Sequence, residues 1–216
     1  EVNILWKKFY NRQGIKCVFI NSKTGHGLSE LYKTIDEELK GKYERDKDKG
    51  LLKRAVKAMV VGIPNVGKST FINKVVNKAS AKTGDKPGVT RDKQWIKANS
   101  RIHFLDTPGI LWPKFDNTEV GQNLAFTGAI KDEIMNIEEL VCHLIGFLKF
   151  NYPEALKERY SIEDPDNEDY DLLLEITKNR NYYLTANNLD TLKMSKIFLD
   201  EFRGGKMGKI SLEKPQ

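Results

Sequence analysis

Cysteine is nearly absent from this 216-residue chain. The two present, Cys17 and Cys142, stand far apart inside apolar runs, which excludes a disulfide framework and a cysteine-held metal and leaves reduced packing residues. Long apolar runs are missing too. The longest near-apolar stretch, residues 58–64 (AMVVGIP), is far too short to span a bilayer. The opening EVNILWKKFYNRQG lacks the apolar run and small-residue cleavage site of a signal peptide. These absences predict a soluble, cytoplasmic protein with no membrane partner; no DNA partner is expected either. A helix cap is lacking as well: the first dozen residues read as a helix already under way ahead of Ile4, Leu5 and Phe9, so a leading segment is expected. What is present, 39% hydrophobic residues, is enough to close a core.

The net charge of +6 conceals an asymmetry. Residues 1–56 carry 13 basic and 8 acidic side chains, 57–116 carry 11 and 4, and 117–216 carry 12 and 18. A basic first half favours a polyanionic partner such as nucleotide or RNA; a solvated lysine-rich surface is the alternative.

Organisation follows from periodicity. A turn at Gly14 leads into residues 15–20 (IKCVFI), predicted as a buried strand. The polar loop 21–27 (NSKTGHG) precedes a helix from about Leu28, with Leu31, Ile35 and Leu39 on its apolar face. Residues 41–54 read as a charged connector. A second apolar strand, 55–62, enters a glycine-rich loop and a helix over about 69–77. Polar residues 79–92 are expected to form a long loop. Short strands near 94–98 and 102–105 and the loop 106–115 (DTPGILWPKF) close the first half. From Asn117 helical spacing dominates, as in Leu140, Val141 and Leu144 or Leu172, Leu173 and Ile176. Seven carboxylates and no Lys or Arg fill 163–175. The reading is an α/β domain over 1–116 and an all-α domain over 117–216.

The chemistry is concentrated at Gly62-Ile63-Pro64-Asn65-Val66-Gly67-Lys68-Ser69, a match to GxxxxGK(S/T) with a strand before it and a helix behind. Gly62 and Gly67 let the backbone curl so that amides converge on a phosphate, and the helix adds its positive end. Lys68 reaches the β/γ oxygens, and the Ser69 hydroxyl is a hard ligand for Mg²⁺. Asp106-Thr107-Pro108-Gly109 follows an apolar strand, so the Asp106 carboxylate can hold a water of the Mg²⁺ shell and the Gly109 amide can donate to the γ-phosphate. In PGVTRD (87–92), the Thr90 hydroxyl can complete that shell.

These are GTPase motifs of the Era/EngA-like class, and in this order the chain resembles the circularly permuted ribosome biogenesis GTPase A family. Asn21-Ser22-Lys23 resembles the loop that supports the guanine base, which in an ordinary GTPase comes last and here precedes the phosphate loop. GIPNVGKST, DTPGILWPKF and LAFTGAIKD are also phrases of that family, and the likeness runs through FRGGKMGKISLE to cover essentially the whole chain. The resemblance implies a Ras-like P-loop NTPase, permuted and incomplete at its N-terminus, followed by a small helical domain. It implies GTP and Mg²⁺ as cofactors, with nucleotide contacts from Asn21, Ser22, Asn65, Val66, Gly67, Lys68, Ser69, Thr70 and Gly109. Ser69, Thr90 and Asp106 are the implied metal ligands, and Lys68, Thr90 and Gly109 the implied catalytic set. Asn65 resembles the residue that holds K⁺ in cation-activated GTPases; a plain turn asparagine is the alternative.

Two family features are missing. The guanine-specificity motif Asn-Lys-x-Asp does not occur: Asn73-Lys74-Val75-Val76 and Asn77-Lys78-Ala79-Ser80 lack the Asp. Weak GTP binding and poor base discrimination are therefore expected of these 216 residues. The water-orienting Gln after the DxxG glycine is replaced by Ile110 and Leu111, and neither His26 nor His103 is assigned its role. The implied partner is the large ribosomal subunit precursor, its RNA and proteins, bound through a GTP-dependent switch. Lys193, Lys196, Arg203, Lys206 and Lys209, or the connector 42–57, are the candidate RNA contacts. Trp112 and Phe115 are read as switch contacts or as interdomain core. A regulatory P-loop ATPase and a nucleotide-independent RNA-binding module are the alternative functions.

Overall fold

Among the residues described by the computed structural model (1–51, 55–76, 94–97, 102–107, 111 and 117–215), three helices precede the first strand. They are α1 (Val2–Arg12), α2 (Leu28–Glu38) and α3 (Lys40–Asp48). Then come β1 (Val56–Val60), α4 (Lys68–Val76), β2 (Gln94–Lys97) and β3 (Ile102–Asp106). The chain divides into two units, Glu1–Leu111 with Glu213–Gln216, and Trp112–Leu212.

In the first unit the sheet is organised by β3, where Ile102, Phe104 and Asp106 are buried and the residues between them half-buried. That is the period-two pattern of a strand whose inner face is covered. β1 pairs with β3 in parallel, Val56 opposite Ile102 through Val60 opposite Asp106. β2 pairs antiparallel on the other side, giving the order β1-β3-β2. α4 covers the sheet: Ile72, Val75 and Val76 bury against Ile96, Ile102 and Phe104, and the Phe71 and Phe104 rings meet edge-on at 5.6 Å. Each such aliphatic anchor contributes about 1.5–3 kcal/mol when fully buried. A helix this short depends on those anchors rather than on its own propensity. α2 adds half-buried Leu28, Tyr32 and Ile35 to the same core.

Two expectations are corrected here. Residues 15–20 form no strand: no described strand pairs with them, and an apolar run becomes a sheet strand only when its amides find a ladder. Ile15 and Phe19 are instead exposed. The connector at 41–54 is helical over most of its described length, as α3; its alternating Lys, Glu, Arg and Asp are adequate helix formers without any apolar stripe. The expected loop at 79–92, together with Trp112 and Phe115, lies outside the described residues.

The second unit is a helical cluster of α5 (Thr118–Phe126), α6 (Ile137–Asn151), α7 (Pro153–Tyr160), α8 (Asp169–Asn179) and α9 (Thr191–Arg203), with a small hairpin, β4 (Tyr183–Thr185) and β5 (Asn188–Leu189), before α9. Leu144, Ile145 and Leu148 of α6 are fully buried with Leu156, Leu172, Leu173, Ile176, Met194 and Phe198. The caps follow the sequence: Asn117, Asn136 and Asp190 accept from backbone amides of α5, α6 and α9, and Pro153 opens α7. Arg203 is spoken for structurally. Its Nε donates to the Phe126 carbonyl at 3.0 Å, Nη2 to that of Ala125 at 2.9 Å, and both Nη atoms to Asp132 at 2.8 Å. It therefore caps the end of α5 instead of offering its guanidinium to RNA.

One buried carboxylate pins α7 to α9. Glu201 accepts from Arg159 through both of its oxygens and from the Tyr160 hydroxyl at 2.9 Å. The Arg159 hydrogen bonds, against the cost of burial and with help from Tyr160, hold the Glu201 carboxyl below its usual range. A carboxylate depressed in the folded state stabilises fully above its unfolded value and loses that contribution as pH falls through the folded one. Stability should therefore drop as pH falls below about 4.5, and Glu201→Gln, less stable at neutral pH, should show a shallower acid slope. Parallel denaturation midpoints for the two proteins from about pH 5 to 3 would remove Glu201 from the acid response.

Candidate nucleotide site

The site is built where β1 and β3 end side by side. Val60 faces Asp106 in the parallel register, and the Thr107 hydroxyl donates to the Val60 carbonyl at 2.7 Å, closing the ladder one step past the strands. Beyond Val60 the chain turns away from the sheet before α4 begins at Lys68. Asn65 (φ +61°) and Gly67 (φ +91°) adopt the left-handed conformation there, which glycine takes freely and asparagine tolerates. The Lys68 side chain folds back across the turn, and its Nζ donates to the Ile63 carbonyl at 2.8 Å. Ser69 and Thr70 follow in the first turn of α4, both half-buried, while Asn65 and Val66 are exposed.

Asp106 is fully buried, and neither of its carboxylate oxygens makes a hydrogen bond of ordinary geometry among the described residues. Burial pushes its carboxyl up, opposed by the charge of Lys68, the Thr107 amide and the Ser69 hydroxyl. Burial likewise pulls the Lys68 ammonium down, opposed by Asp106. A buried carboxylate beside one ammonium and without a hydrogen bond of ordinary geometry is costly in a resting structure and is a mark of a site.

The loop at 21–27 is held by its own side chains. Asn21 Oδ1 accepts from the amides of Lys23 and Thr24, each at 3.0 Å, and the Thr24 hydroxyl accepts from the His26 amide. Asn21 also exchanges backbone bonds with Gly25 and His26. The loop lies against α4: a Cβ on Gly25 would sit 2.7 Å from Cε of Lys74, and one on Gly27 only 2.0 Å from the Phe19 carbonyl oxygen. Ser22 is half-buried within it.

Residues 57–188 match a family model described as a 50S ribosome-binding GTPase. Over the full chain the sequence is 44% identical to the Ribosome biogenesis GTPase A of Bacillus licheniformis, covering 76% of that protein. It is 42% identical to that of Bacillus pumilus over 98% of this chain and 75% of that protein. The chain belongs to the ribosome biogenesis GTPase A family. In fold it is similar to GNP-bound YlqF from T. maritima, with a TM-score of 0.63 at 21% identity over 100% of this chain and 76% of that one.

As a member of this GTPase family, the chain carries a permuted order in which the loop at 21–27 comes before the phosphate loop at 62–69. Of the residues predicted from sequence, the structure gathers Lys68, Ser69 and Asp106 at one point and sets Asn65, Val66, Gly67 and Thr70 along the same turn and helix start. Asn21 and Ser22 lie in the loop packed on α4. Thr90 and Gly109 lie outside the described residues. The donor set fits Mg²⁺. Among the described residues no three His, Cys, Asp or Glu cluster as a protein cage, whereas Ser69 and the Asp106 carboxylate offer the few hard oxygens that such an ion would take from protein beside a nucleotide. Sequence reasoning missed Thr107, the Ile63 carbonyl, Lys74 and Gly27. Only Gly27 left a signal, as the second glycine of a Gly-x-Gly turn.

Gly27→Ala tests the packed loop. Its Cβ collides with backbone, so nucleotide affinity in a fluorescent-GTP titration should fall at least about fivefold. Gly14→Ala, at φ +79° but with open space around it, should not change it. Equal affinities for the two variants would show that the loop takes no part in binding.

Proposed function

We propose that this protein binds and hydrolyses GTP in the cytoplasm and acts in assembly of the large ribosomal subunit, associating with precursor particles, through their RNA and proteins, in its GTP-bound state. The observation that carries the reading is the buried Asp106 carboxylate, without a hydrogen bond of ordinary geometry among the described residues, beside Lys68 and Ser69 at the mouth of the phosphate loop. That combination prepares a charged, oxygen-lined pocket for a metal-bound triphosphate. Family membership supplies the guanine nucleotide and the ribosomal partner.

Lys68 would leave the Ile63 carbonyl for the β/γ-phosphate oxygens, and the amides of the turn would bind the β-phosphate. Ser69 and Asp106, with Thr90, would hold Mg²⁺, which when bound neutralises charge developing on the phosphate oxygens. The Gly109 amide would donate to the γ-phosphate and so sense its loss. Asn21 and Ser22 would support the base. Asn65, in its left-handed turn, is our candidate K⁺ contact.

Lys68→Ala is expected to lower GTP turnover at least about 100-fold and to abolish nucleotide-dependent association with large-subunit particles in sedimentation. Turnover and association at wild-type levels would overturn the reading. Exchange of K⁺ for Na⁺ should slow wild-type turnover by about tenfold or more; equal rates would remove K⁺ from the site.

A further inference from the structure

The helical unit carries more cations around Glu201 than that carboxylate requires. Arg159 satisfies it through two hydrogen bonds, yet Arg180 Nη2 lies 3.6 Å away and Lys206 Nζ 4.0 Å away. Three helix ends meet here, α7 at Tyr160, α8 at Asn179 and α9, whose last turn holds Glu201. Each C-terminus bears about half a negative charge. Three cations still exceed the carboxylate and the three helix ends by about half a unit charge.

The excess has a defined place. Arg159, Tyr160, Ser161, Asn179 and Arg180 line an open cleft. The Arg180 guanidinium lies over the Tyr160 ring at 5.2 Å and is steadied by a bond from Nη2 to the Arg159 carbonyl at 3.1 Å. Its Nε and Nη1, like Nη1 of Arg159, have no partner among the described residues. The side chains of Arg159 and Arg180 are about one-third exposed (31% and 33%) and that of Lys206 60%. Fixed guanidinium forks with spare donors match phosphate oxygens.

We infer that this cleft grips a backbone phosphate of ribosomal RNA through Arg180 and Arg159, with Lys206, 4.0 Å from Glu201, adding charge beside them. The inference rests on the ribosomal reading above and gives it a point of contact. Planar forks take phosphate and carboxylate alike; RNA is chosen over an acidic protein because the ribosomal reading supplies a phosphate backbone as the counterpart of this charge. The surrounding unit, with 18 acidic and 12 basic side chains over 117–216, opposes extended tracking along a strand. The contact is therefore focal, about one phosphate.

Full-length wild type, Arg180→Ala and the fold-safe Lys206→Ala should be titrated against large-subunit precursor particles and naked large-subunit ribosomal RNA over a salt series, with GTP affinity measured alongside. Each variant should bind both targets about five- to tenfold more weakly at 0.1 M salt, with a log–log salt slope reduced by about 0.7–0.9 and GTP affinity unchanged. Wild-type binding and slope in both variants would overturn the inference and leave the ribosomal reading intact. Loss on particles but not on naked RNA would assign the cleft to a protein and overturn it too. Wild type that bound neither target would overturn the ribosomal reading itself.

Discussion

Val60 and Asp106 stand opposite one another in a parallel ladder, and the Thr107 hydroxyl ties the two strand ends together one residue further on. Everything chemical in the first unit hangs from that register. A slip by one residue would turn Asp106 to the other face of β3, away from Lys68. The register is held from below by apolar packing, since Ile102 and Phe104 share the inward face with Asp106 and are clamped by α4. The helix that closes the phosphate loop is thus the one that fixes the carboxylate opposite it.

Asp106 shows what that arrangement costs. A core position two residues beyond Phe104 on the same face would ordinarily be apolar, and a carboxylate there without a full hydrogen bond opposes folding. Lys68 offsets part of the penalty by its charge while spending its own hydrogen bond on the Ile63 carbonyl. Local inconsistency of this kind, in a sheet otherwise consistent with its pattern, is expected where a ligand completes the set.

The phosphate loop, β3 and the helices after Asn117 were legible because each rests on a local rule: glycine spacing, alternation, or a stripe of three and four. Residues 15–20 had the composition of a strand, yet strandhood depends on a partner that composition cannot name. α3 was misjudged for the opposite reason, because charge without an apolar stripe reads as linker although it does not prevent helix formation. The site's second layer was illegible for a geometric reason. Thr107 meets Val60 across 47 positions, and Lys74 meets Gly25 only once two loops have folded onto one helix.

Arg203 and Arg180 show why count and spacing alone do not find a binding surface. Both stand at a helix C-terminus in the same unit, and Arg203 belongs to the denser basic run. Yet Arg203 has its donors taken by two carbonyls and a carboxylate, which makes it a cap, whereas Arg180 stands beside a carboxylate already satisfied by Arg159. Asp106 is the mirror image, a carboxylate short of donors where Arg180 is a cation with donors to spare. The Asp106 imbalance is costly because it is buried, whereas water can serve the one-third-exposed Arg180 until a ligand displaces it. Residual electrostatic demand, read after every internal partner has been assigned, therefore separates groups that build the protein from groups that meet a phosphate.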